Sequence, residues 1–106
     1  MNTKFDHYDD AMIDEAWSQI RLDCKFGPLE YETLDSEDEI GRIAWLAMSM
    51  RYWNSWVGHP VTYFQASGTD FDGHHRVRAV KYLATRHGLQ LTIPVRYDPR
   101  MNRQSS

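Results

Sequence analysis

The sequence predicts a small α+β fold, a single domain in which about three helices pack with a mixed sheet. Three observations lead there. Three segments carry apolar residues at helical spacing, shorter β-prone segments sit between turn residues, and 106 residues with 42% hydrophobic side chains suffice for one core.

The first helix is expected from about Asp9 to Asp23. Asp9, Asp10, Asp14 and Glu15 lie near the positive end of its dipole, and Ile13, Ala16, Trp17 and Ile20 share one face. Phe26, Gly27 and Pro28 break it, and Leu29 to Leu34 then alternates as a short strand. Ser36 and Glu39 form a capping-box pattern ahead of Ile40, Ile43, Ala44, Ala47 and Met50, which predicts a second helix ending near Tyr52 to Trp56. Val61 to Gln65 reads as a strand, Ala66-Ser67-Gly68 as a turn, and Thr69 to Asp72 as the returning strand of a hairpin. Gly73 releases a third helix from about His74 to His87, with Val77, Val80, Leu83 and Ala84 inward and Gly88 as its stop. Leu89, Leu91, Ile93, Val95 and Tyr97 alternate as a final strand, which Pro94 places at a sheet edge or a bulge.

Three parts follow from this pattern: an acidic helical extension over 1–26, a domain over 27–98 and a disordered tail over 99–106. The single cysteine, Cys24, excludes an internal disulfide framework and a multi-thiolate zinc site, and fits a reducing, cytoplasmic setting. The longest apolar run, Ile43 to Met50, is far below the ~20 residues of a membrane helix, so no membrane partner is expected. The net charge of −3 hides an asymmetry. Residues 1 to 40 hold 12 acids against 3 bases, whereas residues 41 to 106 hold 3 acids against 9 bases. This split predicts either an acidic face beside a basic site that receives phosphates, or two halves that neutralise each other in the fold.

Chemistry concentrates at the junction Asp70-Phe71-Asp72-Gly73-His74-His75-Arg76. A glycine allows the sharp turn, and the N–H groups of the following residues form an open helix start that favours an anion, phosphate above all. Gly73, His74, His75, Arg76 and Arg78 are the candidate phosphate ligands. His75 is the candidate proton donor, and Asp72 is to position water or, with Asp70 two residues earlier on the same strand face, to hold a divalent metal. Each also has a plain structural reading: Asp72 as a helix cap, Arg76 paired with the acidic half, and two adjacent histidines that face different ways. Around the end of the second helix, Trp45, Tyr52, Trp53 and Trp56 are expected mainly in the core.

The order from Ser36 onward resembles the ParB-like and sulfiredoxin-like superfamily: a helix, a strand, Asp72-Gly73-His74-His75-Arg76 with Arg78-Ala79 following, then Ile93-Pro94-Val95. The resemblance covers roughly residues 27 to 98, and the five-residue motif looks most like the ParB-like nuclease branch. It implies a helix start that holds nucleotide or nucleic-acid phosphates, with a nucleoside triphosphate or Mg²⁺ as cofactor and metal-assisted phosphodiester cleavage through Asp72 and His75. Two departures narrow it. His74 stands where sulfiredoxins carry their catalytic cysteine, and the chain lacks room for the helix-turn-helix and dimerisation regions of partition proteins.

The competing expectation is a non-enzymatic interaction protein of phage or plasmid type, such as an anti-CRISPR or another anti-defence inhibitor. It would grip a basic protein through its acidic half, with Glu37, Asp38 and Glu39 as the candidate contacts.

Overall fold

A computed structural model describes residues 2–20, 22–23, 27–28, 39–67 and 70–100. Within them the chain forms α1 (Asp10–Ser18), β1 (Leu22–Asp23), β2 (Gly27–Pro28), α2 (Glu39–Trp53), β3 (Val61–Phe64), β4 (Phe71–Asp72), α3 (His74–Arg86) and β5 (Val95–Asp98). The architecture is α+β, three helices with a three-stranded mixed sheet, as the periodicities predict.

The first helix is shorter than its apolar pattern. Its last turn tightens as the Gln19 and Ile20 N–H groups donate to the carbonyls of Ala16 and Trp17, three residues back. Leu22 and Asp23 are then committed to an antiparallel ladder with Pro28 and Gly27, so the helix must end before them. The strand expected at Leu29 to Leu34 lies outside the described residues, as do Ser36 of the capping pattern and most of the tail.

The second helix is the hub. Gly41, Ile43, Ala44, Leu46, Ala47, Met48, Ser49 and Met50 are all buried, a helix enclosed nearly all round, and it packs against both α1 and α3. Asn54 ends it in the left-handed region at φ 55°, and the Ser55 N–H reaches back to the Met50 carbonyl at 3.1 Å, a Schellman closure. Ile13 of α1 and Tyr82 and Leu83 of α3 complete this main core. Trp45 and Trp56 pack against it half-buried, but Tyr52 and Trp53 stay exposed and stack edge to face at 4.8 Å, so the aromatic group divides between core and surface.

The sheet order is β4-β3-β5. β4 runs antiparallel to β3, with Thr62 opposite Asp72 and Tyr63 opposite Phe71. β5 runs parallel to β3, with Val61 to Phe64 matched one to one by Val95 to Asp98. Of the predicted final strand only Val95 to Tyr97 pair, joined by Asp98, because β3 offers only four residues. Leu89, Leu91 and Ile93 instead pack against the core in an extended connection. Pro94 stands just before β5, where its carbonyl accepts the Val61 N–H at 2.9 Å, and β5 is an edge among the described strands. Alternation gives the sheet two faces. Val61, Tyr63 and Phe71 turn toward Val77 and the helices, whereas Thr62, Phe64, Asp72, Arg96 and Asp98 fall on the other side.

The acidic N-terminal region folds onto α3. Asp6 pairs with Lys81 at 2.9 Å and Asp14 with Arg86 at 3.2 Å, while Asp10 takes Arg78 and the Thr85 hydroxyl, each at 2.8 Å. Three acids of the N-terminal half are thereby neutralised by three bases of α3 across this interface. Among the described residues no helix is long and apolar enough to cross a membrane.

Candidate anion-binding cleft

The polar face of the sheet and the start of α3 enclose a cleft of about 460 Å³. Gly73 hinges the chain from β4 into α3 at φ 114°, ψ 26°, a conformation that strains any residue with a side chain. A Cβ there would also sit 3.3 Å from Val61 Cγ2. No side chain caps the helix and its first turn holds no acid, so its leading N–H groups and dipole favour an anion.

Arg76 stands on this first turn and lines the cleft. Its Nε donates to the Val57 carbonyl at 2.9 Å, and its guanidinium lies against Gly58, whose missing side chain makes room: a Cβ at Gly58 would fall 2.4 Å from Arg76 Nε. From the opposite wall come Arg96 and the Asp98–Arg100 pair, in which Arg100 grips both carboxylate oxygens, the closest contact being 2.6 Å. The Arg100 guanidinium holds Asp98 down at about 2. Arg76 and Arg96 make no ion pair among the described residues. Three guanidiniums thus share the cleft with two carboxylates, one of them already chelated, and the balance favours an anionic guest.

Of the residues the sequence nominates, Asp72, Gly73 and Arg76 come together here. The others are held elsewhere. Arg78 is buried, 6% exposed, and bonds the Tyr8 carbonyl at 2.7 Å and Asp10 at 2.8 Å, so it ties α3 to α1 instead of reaching an anion. His74 Nδ1 accepts the Lys4 N–H at 3.1 Å while its ring stacks on Phe71, 3.9 Å between centroids, and burial lowers its pKa. His75 pairs through Nε2 with Glu39 and packs its tilted ring against Phe5, 4.4 Å between centroids; burial lowers its pKa too, against the pull of Glu39. The adjacent histidines face different ways, as helix geometry requires, and neither lines the cleft.

Asp72 does not cap α3. Asp70 precedes β4, its N–H bonded to the Ser67 hydroxyl at 3.2 Å, and does not line the cleft with Asp72. Glu39 opens α2 and is taken by His75, while Glu37 and Asp38 lie outside the described residues. Among the described residues no group of three or more acidic, histidine or cysteine side chains is placed to hold a metal ion. With Asp98 chelated by Arg100, Asp70 elsewhere and three arginines on the walls, the cleft's donor set does not fit Mg²⁺.

His59, Thr62, Arg96, Asp98 and Arg100 line the cleft without having been singled out in the sequence. One signal was present. Arg96 and Asp98 alternate with Val95 and Tyr97 on the predicted last strand, which places both charges on one face. A scan against protein-family models finds none that matches the chain, and no curated protein or solved structure matches it either.

Proposed function

We propose that the chain binds a phosphate-bearing ligand, a nucleotide or a stretch of nucleic acid, in the cleft at the start of α3, in the manner of a ParB-like and sulfiredoxin-like domain. One observation carries this reading: Arg76, fixed on the uncapped first turn of α3, faces Arg96 and Arg100 across a cleft of nucleotide size, with an excess of positive charge.

The work done by these residues is binding and orientation. The Arg76 and Arg96 guanidiniums supply charged donors in planar forks that match phosphate oxygens, and the leading N–H groups of α3 add uncharged ones. Asp72 repels a bare anion and so favours a ligand that also brings hydroxyl or amino donors to that wall, as a nucleotide does. With His75 held by Glu39 away from the cleft, the reading is of capture without a proton-transfer step through that side chain.

The test is the thermal midpoint of the chain with and without nucleotides and a short single strand, compared between the native sequence and Arg76→Ala. A ligand at a hundred times its Kd adds about 2.7 kcal/mol, a readily seen shift. Stabilisation of the native chain and not of Arg76→Ala is the expected result. No shift with any phosphate-bearing ligand at millimolar concentration refutes the reading.

A further inference from the structure

We infer that residues 3–6 form a clasp on the start of α3, that the His74 imidazole is its latch, and that acid opens it. The Lys4 N–H donates to His74 Nδ1 at 3.1 Å, so that nitrogen holds a free lone pair while the clasp is closed. A protonated imidazole carries a hydrogen on both ring nitrogens and has no acceptor to offer. Protonation of His74 therefore removes the latch and sets two donors, the Lys4 N–H and Nδ1–H, against each other.

The clasp keeps its own shape. The Asp6 carboxylate accepts the Thr3 N–H at 2.9 Å and the Thr3 hydroxyl at 2.8 Å, and Thr3 Oγ1 in turn accepts the Phe5 N–H at 3.1 Å. Among the described residues it is tied to α3 by the Lys4–His74 bond, by the Asp6–Lys81 pair and by Phe5, whose ring is 6% exposed and lies against His75. The next anchor, the Tyr8 carbonyl on Arg78, lies beyond it, so residues 3–6 are able to open without unseating α1.

Among the described residues, the charges that face His74 come from two sides. Lys4 on the clasp opposes the imidazolium, whereas Asp70 and Asp72, with a backbone hydrogen bond to Phe71, favour it. Burial, the largest influence, joins Lys4 and prevails, holding the ring below 6.5 while the clasp is closed. Opening exposes the ring and carries Lys4 away, which returns the ring toward 6.5. A histidine lowered in the closed form binds its proton better in the open form, so opening grows as pH falls below 6.5, by at most about tenfold per pH unit. His75 faces Glu39, Arg42 and Lys4 and is no latch, because Glu39 accepts from its Nε2–H whether or not the ring is charged.

Amide hydrogen exchange of the full chain, followed by NMR and expressed as protection relative to the unstructured rate at each pH, tests the clasp. Protection of the Lys4 and Phe5 amides is expected to fall about threefold or more between about pH 7 and pH 5. His74→Asn, whose Oδ1 accepts in the place of Nδ1 and does not titrate, is expected to hold that protection level over the same range. His75→Gln, whose amide still donates to Glu39, is expected to lose it as the native chain does. Protection that stays level in the native chain, falls equally in His74→Asn, or stays level in His75→Gln overturns the inference. The native chain alone gives a second reading: the Lys4 amide shift should titrate with the midpoint of the His74 ring carbons, and a midpoint matching His75 instead refutes the latch.

Discussion

The two ends of α3 use positive charge in opposite ways. Along its middle and end, Arg78, Lys81 and Arg86 are each matched to an acid of the N-terminal region, Asp10, Asp6 and Asp14. At its start, Arg76 faces a cleft shared with Arg96 and, among the described residues, has a carbonyl for a partner instead of a carboxylate. A guanidinium that folding neutralises stabilises the fold, whereas one left without a counter-ion keeps its charge for a ligand. Sequence spacing places Arg76 and Arg78 side by side, yet a step of two residues on a helix turns them about 200° apart, which separates the two roles.

Exchanging the two arginines' losses gives the sharpest break. Arg78→Met should lower stability by about 2–3 kcal/mol in urea titration, because Asp10 and the Tyr8 carbonyl lose a buried partner, and it should leave ligand affinity intact. Arg76→Ala should do the reverse, weakening phosphate binding about tenfold or more for the loss of a charged donor while costing less than about 1 kcal/mol of stability. Equal effects of both variants on both measurements would erase the distinction.

Gly58→Ala sharpens it. With φ at 97° and the Arg76 guanidinium where the new methyl group must go, the change should cost about 1–2 kcal/mol and displace Arg76 enough to weaken binding, without touching any charged residue.

Acid titration separates the regions in another way. Burial would raise the Asp6 carboxyl, but the Lys81 and Thr3 hydrogen bonds outweigh it and hold the group at about 2; Asp10 is lowered likewise by Arg78 and Thr85 against its burial. A depressed carboxylate stabilises the fold above its unfolded value of 3.8 and ceases to do so as pH falls toward 2. His74, His75 and His87 are lowered by burial from 6.5, so the fold favours their neutral forms, and that contribution is full above 6.5 and declines as pH drops below it. Urea midpoints should therefore fall in two stages on acidification, and Asp6→Asn should flatten only the more acidic stage. The smallest effect is expected of Lys81→Ala, about 0.5 kcal/mol or less, since both partners of that pair are a third or more exposed.

Much of this was legible in the chain itself. The middle helix, the hairpin, the glycine-led third helix and the placement of Pro94 followed from periodicity and turn chemistry, because those signals are local. The motif at Gly73 located the cleft for the same reason. What stayed hidden was long-range. Nothing near Arg78 in sequence announces that Asp10, 68 residues away, will claim it, and nothing near His75 announces Glu39, 36 residues away. Arg96 and Arg100 join the cleft only because β5 aligns beside β3, a pairing that strand propensity does not specify. The first helix was overdrawn because its apolar pattern runs past the point where the backbone is needed by a ladder.

The seat of Arg76 on Gly58 has an energetic consequence at the moment a ligand arrives. A free arginine side chain carries ~2 kcal/mol of rotamer entropy, most of which an encounter complex must surrender. Here the Val57 carbonyl holds Nε and the bare backbone of Gly58 supports the plane, so the fork is already oriented before any anion enters. The side chain is immobilised when the protein folds instead of when it binds, and capture then requires little rearrangement of that wall.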